Sequence, residues 1–449
     1  MDKTTETLAR YATTLKYDAL SESAIHAAKR RIIDTFACAM GGYTSEPSQI
    51  ARRLAANASA TPSARVLVDA RPTSPEMAAF ANTVMVRYLD ANDTYQGANG
   101  SGGHPSDMMG ALLAAGEVAG STGKDLLLAM VTGYEVYGAM ADEVALSDIG
   151  WDQGTFIAPA ATVGAARLLG LTSQQMADAL AIVVTANVPT RQTRAGELSM
   201  WKGVATAHAG KAALFATQLA KEGMTGPTAA FEGHHGLWQQ VTGSFKLASL
   251  GSTPSAVERG NFKYFAAEAH SQAPIWMAFS LREKVKLDDI EAINVQIYQF
   301  AYDEIGSGPA KWDPKTRETA DHSLPYILAS ALRDGRITPE TFEPARYLDP
   351  AIRPLMNKVH INVNPTFKRE DLMSEIEVLT KSGKRVGERA TLPKGHAKNP
   401  MTDADVEQKF RDLSAGIFSS GQTDAALKAL WSIDEAPRVA GVIDLFTPR

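Results

Sequence analysis

The sequence predicts a mainly α protein, with a large all-helical domain and a smaller α+β lid domain. Three observations carry that prediction. From residue 1 to about 265, apolar residues recur at helical spacing behind Ser, Thr and Pro start signals, without a convincing alternating strand. After Leu287 the pattern changes, and Ile293, Val295 and Ile297 alternate with polar neighbours as half-buried strand residues do. Beyond about residue 400 helical spacing returns, so the tail is expected to pack back onto the first domain. The division expected is 1–267 with 401–449 for the helical domain and 268–400 for the lid, since 449 residues exceed one simple core.

The elements follow in order. Ser21 is expected to cap a helix carrying Ile25, Ala28, Ile32, Phe36 and Met40, with Gly41-Gly42 as its stop. Ser74-Pro75 starts a second helix that reaches about Tyr88. Asp107 is expected to cap a segment running to about Val118, and Thr122 to introduce one ending near Val144. Thr172 to Gln175 fits a capping box before a helix to about Ala186, and another helix runs from about Lys202 to Glu222. In the lid, helices are expected over Ala273 to about Lys286 and Ser323 to about Arg333. Val359, Ile361 and Val363 form a second strand, and Ile376 and Val378 lead through Lys381 to Lys384 into Val386 as a hairpin. Thr402 then caps a helix with Val406 and Phe410, and a last helix covers Ala425 to Trp431.

Composition removes several function classes. The 45 basic and 50 acidic residues give a net charge of -5 without a run of one sign, which argues against nucleic acid or an anionic membrane as partner. The single cysteine, Cys38, rules out an intramolecular disulfide and a Cys-ligated zinc or iron–sulfur cluster within one chain. The start, MDKTTETLARYATTLKYD, shows no basic-then-apolar secretory pattern. Leu126 to Ala141 is too short, and too interrupted by Thr132, Gly133 and Glu135, to span a bilayer. A cytoplasmic location is expected.

The stretch most suited to chemistry is LDANDTYQGANGSGGHPSDMM, residues 89–109. Asp90 and Asp93 are three apart and share a face if the preceding helix continues that far. A glycine-rich turn from Gly97 to Gly103 leads to His104. A carboxylate beside His104 would favour its protonated form and make a proton donor, while a second carboxylate could serve as base. The same residues also suit a purely structural loop that ends one helix and begins another. Two aspartates and a histidine are residue types that ligate metals, but their spacing is loose. No Gly-Lys-Ser/Thr follows the glycines, so this is not a phosphate loop.

Three further stretches supply charge. Arg191-Gln192-Thr193-Arg194 to Met200-Trp201-Lys202-Gly203 places three cations before a helix, where arginines can grip a carboxylate by two prongs. A solvated loop paired with Glu197 is the plainer reading. Phe262-Lys263-Tyr264-Phe265, followed by Glu268, His270 and Gln272, sets a lysine among aromatics at the domain junction. In Ala320-Asp321-His322-Ser323-Leu324-Pro325-Tyr326, Ser323 can cap a helix whose first turn holds Tyr326, as a core residue or a hydroxyl donor. Trp151-Asp152-Gln153-Gly154 and His234-His235 are weaker signals, and no Gly-x-Ser-x-Gly elbow is present.

Taken together, LDANDTY…GHPSD, RQTRAGELSMWKG, GMTGP with FEG, FKYFAAEAHSQ, SLPY and GHAKNPM resemble the MmgE/PrpD family in order along nearly the whole chain. That family includes 2-methylcitrate dehydratases, cis-aconitate decarboxylase and an iminodisuccinate epimerase. The resemblance implies a helical domain with an α+β lid, a homodimer, and a site between the domains. It also implies a polycarboxylate substrate and neither metal nor cofactor. Asp93, His104, Lys202 and Tyr326 are the catalytic residues expected on this basis. Asp90, Thr94, Gln153, Arg191, Arg194, Lys263 and His270 are expected to bind substrate. Two departures bear on the reaction: Gln153 stands where relatives often carry histidine, and Ala91 replaces an aromatic.

The chemistry expected is a hydro-lyase reaction on 2-methylcitrate or a citrate-like acid. A proton leaves the carbon beside a carboxylate, hydroxide departs, and fixed cations hold the developing charge. His104, tuned by Asp93, is the expected proton-transfer group. Epimerisation of an imino- or amino-dicarboxylate and decarboxylation of cis-aconitate could arise from the same carbanion. A helical protein that captures polycarboxylates without converting them is the non-enzymatic alternative.

Overall fold

The computed structural model describes residues 1–100 and 102–447. Ser101, inside the glycine-rich turn, lies outside them. The start signals act as their chemistry requires. Ser21 accepts from the Ala24 amide at the head of the Glu22–Gly42 helix. Thr122 with Asp125, Thr172 with Gln175 and Thr402 with Asp405 close reciprocal capping boxes.

Two expectations about helix ends are corrected. Gly41-Gly42 does not stop the first of these helices, which runs through Gly42. A Cβ on Gly42 would lie 2.1 Å from the Met85 carbonyl oxygen, so the glycine is there for close approach to the Pro75–Tyr88 helix. Nor does Asp107 cap the next helix: a 3-10 turn, Pro105–Met108, runs straight into Met109–Ala119 without a side-chain cap. The Asp107 carboxylate instead accepts from the Asn92 side-chain amide at 2.8 Å. Lys202 likewise sits in a 3-10 turn, Met200–Gly203, ahead of the Ala205–Lys221 helix.

Two apolar cores form. The first gathers residues from Leu8 to Phe262 and then Met401 to Phe446, and the second runs from Phe265 to Val378. The Asp403–Ser414 helix packs on Glu22–Gly42, and the Phe446 ring centroid lies 4.1 Å from that of Phe36. The tail therefore closes the helical core. Phe262 belongs to one core and Phe265 to the other, which leaves Lys263 at the crossing.

The second core is built on a four-stranded mixed sheet. Ile290–Ile297 lies parallel to Val359–Val363 and antiparallel to Ser374–Thr380, with Arg385–Ala390 at the edge. The expected hairpin is the Ser374–Thr380 and Arg385–Ala390 pair. Ile293, Val295 and Ile297 are buried, as their alternation required. The Gln272–Lys284 helix packs against the hairpin strands. Two small ladders escaped the helical pattern, and one of them, Tyr95–Gln96 with Gly102–Gly103, shapes the glycine-rich turn. Among the described residues no helix is long and apolar enough to cross a membrane.

Gly42→Ala should force the Glu22–Gly42 and Pro75–Tyr88 helices apart. The expected cost is about 1–3 kcal/mol, read as a lower urea midpoint with an unchanged slope.

Candidate active site

The Pro75–Tyr88 helix ends one residue before Leu89, and Asp90 then takes a left-handed backbone with φ of 54°. That conformation is unfavourable for a side chain with a Cβ, at roughly 1–3 kcal/mol, and persists only where surroundings enforce it. Here the surroundings are charges. Arg87, one turn back on the helix, forms a close ion pair with Asp90 Oδ1. Lys263 Nζ lies 3.0 Å from Oδ1 and donates to the Asp90 carbonyl at 2.8 Å. Lys202 Nζ is 3.4 Å from Oδ2. Nε2 of His104 and Nε2 of His322 approach the two carboxylate oxygens to 3.8 and 3.9 Å.

Burial alone would raise the Asp90 carboxyl, yet Arg87, Lys202 and Lys263 together hold it well below the usual range. The lysines share that one carboxylate, so neither has a full counter-charge. Burial brings Lys202 down to about 8 despite Asp90, and lowers Lys263 as well. Arg87 also lies 3.6 Å from Asp107, and Asp321 and Glu268 act on Lys202 and Lys263, so the centre is a network of buried cations and carboxylates.

His104 is oriented by backbone. Its Nδ1 lies 2.7 Å from the Asp93 carbonyl oxygen, an atom that can only accept, so Nδ1 carries the hydrogen. Nε2 is left with its lone pair toward the site. Burial, then the charges of Arg87 and Lys263, push this imidazole well below its ordinary pKa against the pull of Asp90. It is neutral near pH 7, with Nε2 able to accept, and is not held protonated by a neighbouring carboxylate. The His104 amide donates to Gln153 Oε1. A Cβ on Gly103 would fall 1.9 Å from the Tyr137 hydroxyl and 2.1 Å from the same Gln153 oxygen. Only glycine lets this loop pass.

The Asp93 carboxylate does not face His104. It accepts from the Ser106 amide at 3.1 Å and the Tyr134 hydroxyl at 2.7 Å, with Arg31 at 3.6 Å. Asp93 reaches the site only through its carbonyl. Tyr326 is also corrected: it packs on Phe342 in the lid core, its hydroxyl donates to the Thr341 carbonyl, and it does not line the cavity. The serine cap at 323 turns residue 326 inward. His322, in the same stretch, faces Asp90 instead. Its Nδ1 lies 2.5 Å from Asp321, which Arg317 pairs at 3.0 Å. The adjacency of Asp321 and His322 is the signal in the sequence, an imidazole with its own orienting carboxylate. Arg87, a lone cation near a helix end, carries no such signal.

A cavity opens from this centre and is lined by Asp90, Thr94, His104, Gln153, Lys263 and His322. Farther out its wall carries Arg191, Arg194, His270 and Arg369. Lys202 sits behind Asp90, off the wall. Arg191 pairs with Glu304 at 2.5 Å and Arg194 with Asp152 at 2.6 Å. Thr94 is bridged to Asn261 by paired backbone hydrogen bonds. His270 contacts the Tyr298 hydroxyl and lies 3.7 Å from Glu268. Two buried donors on this wall, Gln153 Nε2 and Arg194 Nη2, have no hydrogen-bond partner among the described residues. Buried donors without a partner are costly, so each calls for an oxygen, from water or from a ligand.

Comparison with known proteins gives two family-model matches and a set of similar proteins. The family model of the MmgE/PrpD N-terminal domain matches residues 6–249, and that of the C-terminal domain matches 265–433. The chain is 28% identical over 404 residues to 2-methylcitrate dehydratase of Salmonella typhi, covering 81% of this chain and 79% of that one. It is 27% identical over 461 residues to cis-aconitate decarboxylase of Homo sapiens, covering 96% and 92%. A 2-methylcitrate dehydratase of Cupriavidus necator is 26% identical over 466 residues, covering 94% and 92%.

His322 is held down to about 4 by burial and then by Lys202. Between about 6.5 and that value the unfolded chain takes up a proton that the native imidazole refuses, so His322 costs stability as pH falls. Asp107, raised to about 6 by burial, acts with the opposite sign, so the comparison must be with a variant. His322→Asn should gain stability relative to the unsubstituted protein as pH drops through that window, measured by urea midpoints.

Proposed function

The chain belongs to the MmgE/PrpD family, and from that premise we propose that it is a lyase that removes water from 2-methylcitrate or a close citrate-like polycarboxylate. One observation carries the reading. A neutral imidazole and three buried cations meet at one carboxylate, on a cavity whose outer wall is lined by arginines.

In this reading the arginines and the unpartnered donors of Gln153 and Arg194 hold the substrate's outer carboxylates. His104 Nε2 takes the proton from the carbon beside a carboxylate. The enediolate charge that develops there is stabilised by Lys263, Lys202 and Arg87, which matter more in the transition state than before it. The carbon–oxygen bond breaks, the double bond forms, and hydroxide leaves as water on receiving a proton. Lys263, on the cavity wall and with its pKa drawn down, is the donor. The setting proposed is a homodimer in the cytoplasm.

A second reading rests on His322. Its Nε2 and that of His104 approach opposite oxygens of Asp90, so one could take a proton from one face of a carbon while the other, once protonated, gives one to the opposite face. That arrangement suits epimerisation of an imino- or amino-dicarboxylate.

Incubation with 2-methylcitrate, citrate, cis-aconitate and iminodisuccinate in D₂O separates the readings. Ultraviolet absorbance follows the unsaturated acid and NMR follows deuterium uptake. Unsaturated product from 2-methylcitrate is the result expected, whereas deuterium uptake without elimination would replace dehydration by epimerisation. His104→Gln should lower kcat by about 10²–10⁴ with an unchanged urea midpoint. Lys202 is charged below about 8 and neutral above it, so kcat/KM for the anionic substrate should fall as pH rises through that value. Lys202→Arg should move this fall to higher pH.

A further inference from the structure

Neither of the two segments that carry the site is regular structure where it matters. Asp90 and Ala91 follow the end of a helix, and Lys263 lies in the crossing between cores. At one end they are joined by the bridge between Thr94 and Asn261. At the other, the Lys263 side chain reaches Asp90 directly, and a second ammonium joins the two backbones. Lys409, from the tail helix Asp403–Ser414, donates to the Ala91 carbonyl at 2.6 Å, the Lys263 carbonyl at 2.8 Å and Asp34 Oδ1 at 2.5 Å. Its three N–H groups are all used, and the group is buried.

Asp34 belongs to the Glu22–Gly42 helix, as does Arg31 one turn earlier. Arg31 donates to the Asn261 carbonyl at 2.8 Å and stacks 4.0 Å from the centre of the Phe262 ring. One rigid helix therefore holds both segments at two points. We propose that Lys409, seated on Asp34, is a positioning residue that fixes the separation of Asp90 and Lys263 by holding the Ala91 and Lys263 carbonyls together. A buried ion pair is not needed for stability, since apolar residues of similar volume serve as well. Two carbonyls from different segments can be joined only by a donor.

The proposal rests on the dehydration reading for its catalytic readout, so the experiment carries a second readout that does not. Lys409→Met alone should lower both the urea midpoint and kcat, because it strands Asp34. In the double variant Asp34→Leu, Lys409→Met, the midpoint should return toward that of the unsubstituted protein. Its kcat should stay about 10²-fold low, as expected for a displacement near 1 Å. Amide exchange over residues 89–94 and 261–266 should stay fast, and affinity for tricarballylate, a tricarboxylate without a hydroxyl to lose, should stay weak. Recovery of kcat together with the midpoint would reduce the pair to a structural role. If no tested acid is turned over by the unsubstituted protein, the dehydration reading fails by itself. Native-like exchange and tricarballylate affinity in the double variant would then overturn the positioning role. Should that variant not fold, Asp34→Asn with Lys409→Gln keeps the volume and is judged by the same measurements.

Discussion

A carboxylate taken out of water must be neutralised, and the way Asp90 is neutralised governs the rest of the site. Arg87 comes from the end of a helix, Lys202 from a turn before another, and Lys263 from the crossing between the cores. His322 reaches the same carboxylate from the lid. The cluster therefore exists only where the two cores meet. Arg87 also reaches Asp107, and Asp321 and Glu268 act on the lysines, so cations and carboxylates are held out of water together, at a desolvation cost that only close mutual pairing offsets.

The cations also answer a backbone problem. The last carbonyls of a helix have no partners within it. At the end of Pro75–Tyr88, Arg317 serves the Tyr88 and Leu89 carbonyls at 3.2 and 3.4 Å. Lys263 serves Asp90, Lys409 serves Ala91 and His104 serves Asp93. Five nearly consecutive carbonyls are thus met by side chains from distant segments. Positive charge at a helix C-terminus is favoured by the helix dipole, so the same groups that draw an anion also end the helix. His104 gains most from this, since the carbonyl of Asp93 decides which of its nitrogens faces substrate.

What is legible in the sequence follows from the range of the interaction concerned. Capping boxes are local, and Thr122, Thr172 and Thr402 are readable as such. The strand alternation of Ile293, Val295 and Ile297 is readable for the same reason. The choice between Asp90 and Asp93 is not. Their spacing puts both on one face only if the helix continues, but it ends at Tyr88, and the left-handed turn at Asp90 sends the two carboxylates apart. Tyr326 and His322 exchange places for a related reason. The serine cap is visible, but not that one turn of helix carries Tyr326 into the lid core while His322, just outside it, stays at the cavity. Arg31, Asp34 and Lys409 depend on contacts across hundreds of residues, which periodicity cannot report.

Gln153 shows how a single change redistributes work within such a site. Its oxygen is committed to the His104 amide, which leaves its buried NH₂ group without a hydrogen-bond partner among the described residues. A histidine there could carry a proton, whereas a glutamine can only hold an oxygen in place. Proton movement is thereby concentrated on His104 and His322, each with a free Nε2 and each tied at Nδ1, one to a carbonyl and the other to a carboxylate. The difference in tie matters. A carboxylate stabilises an imidazolium as it forms, and a carbonyl does so less. At His322, however, burial and Lys202 outweigh Asp321, so both imidazoles are neutral near pH 7. If substrate presents its acidic carbon to His104 and its hydroxyl to Lys263, elimination follows. If both faces of that carbon lie between the two imidazoles, a proton can return on the other side only from an imidazole that entered protonated. In the proposed reading, the hold that the wall arginines take on the far carboxylate would decide between these outcomes, so reaction choice would lie with groups that never touch the proton.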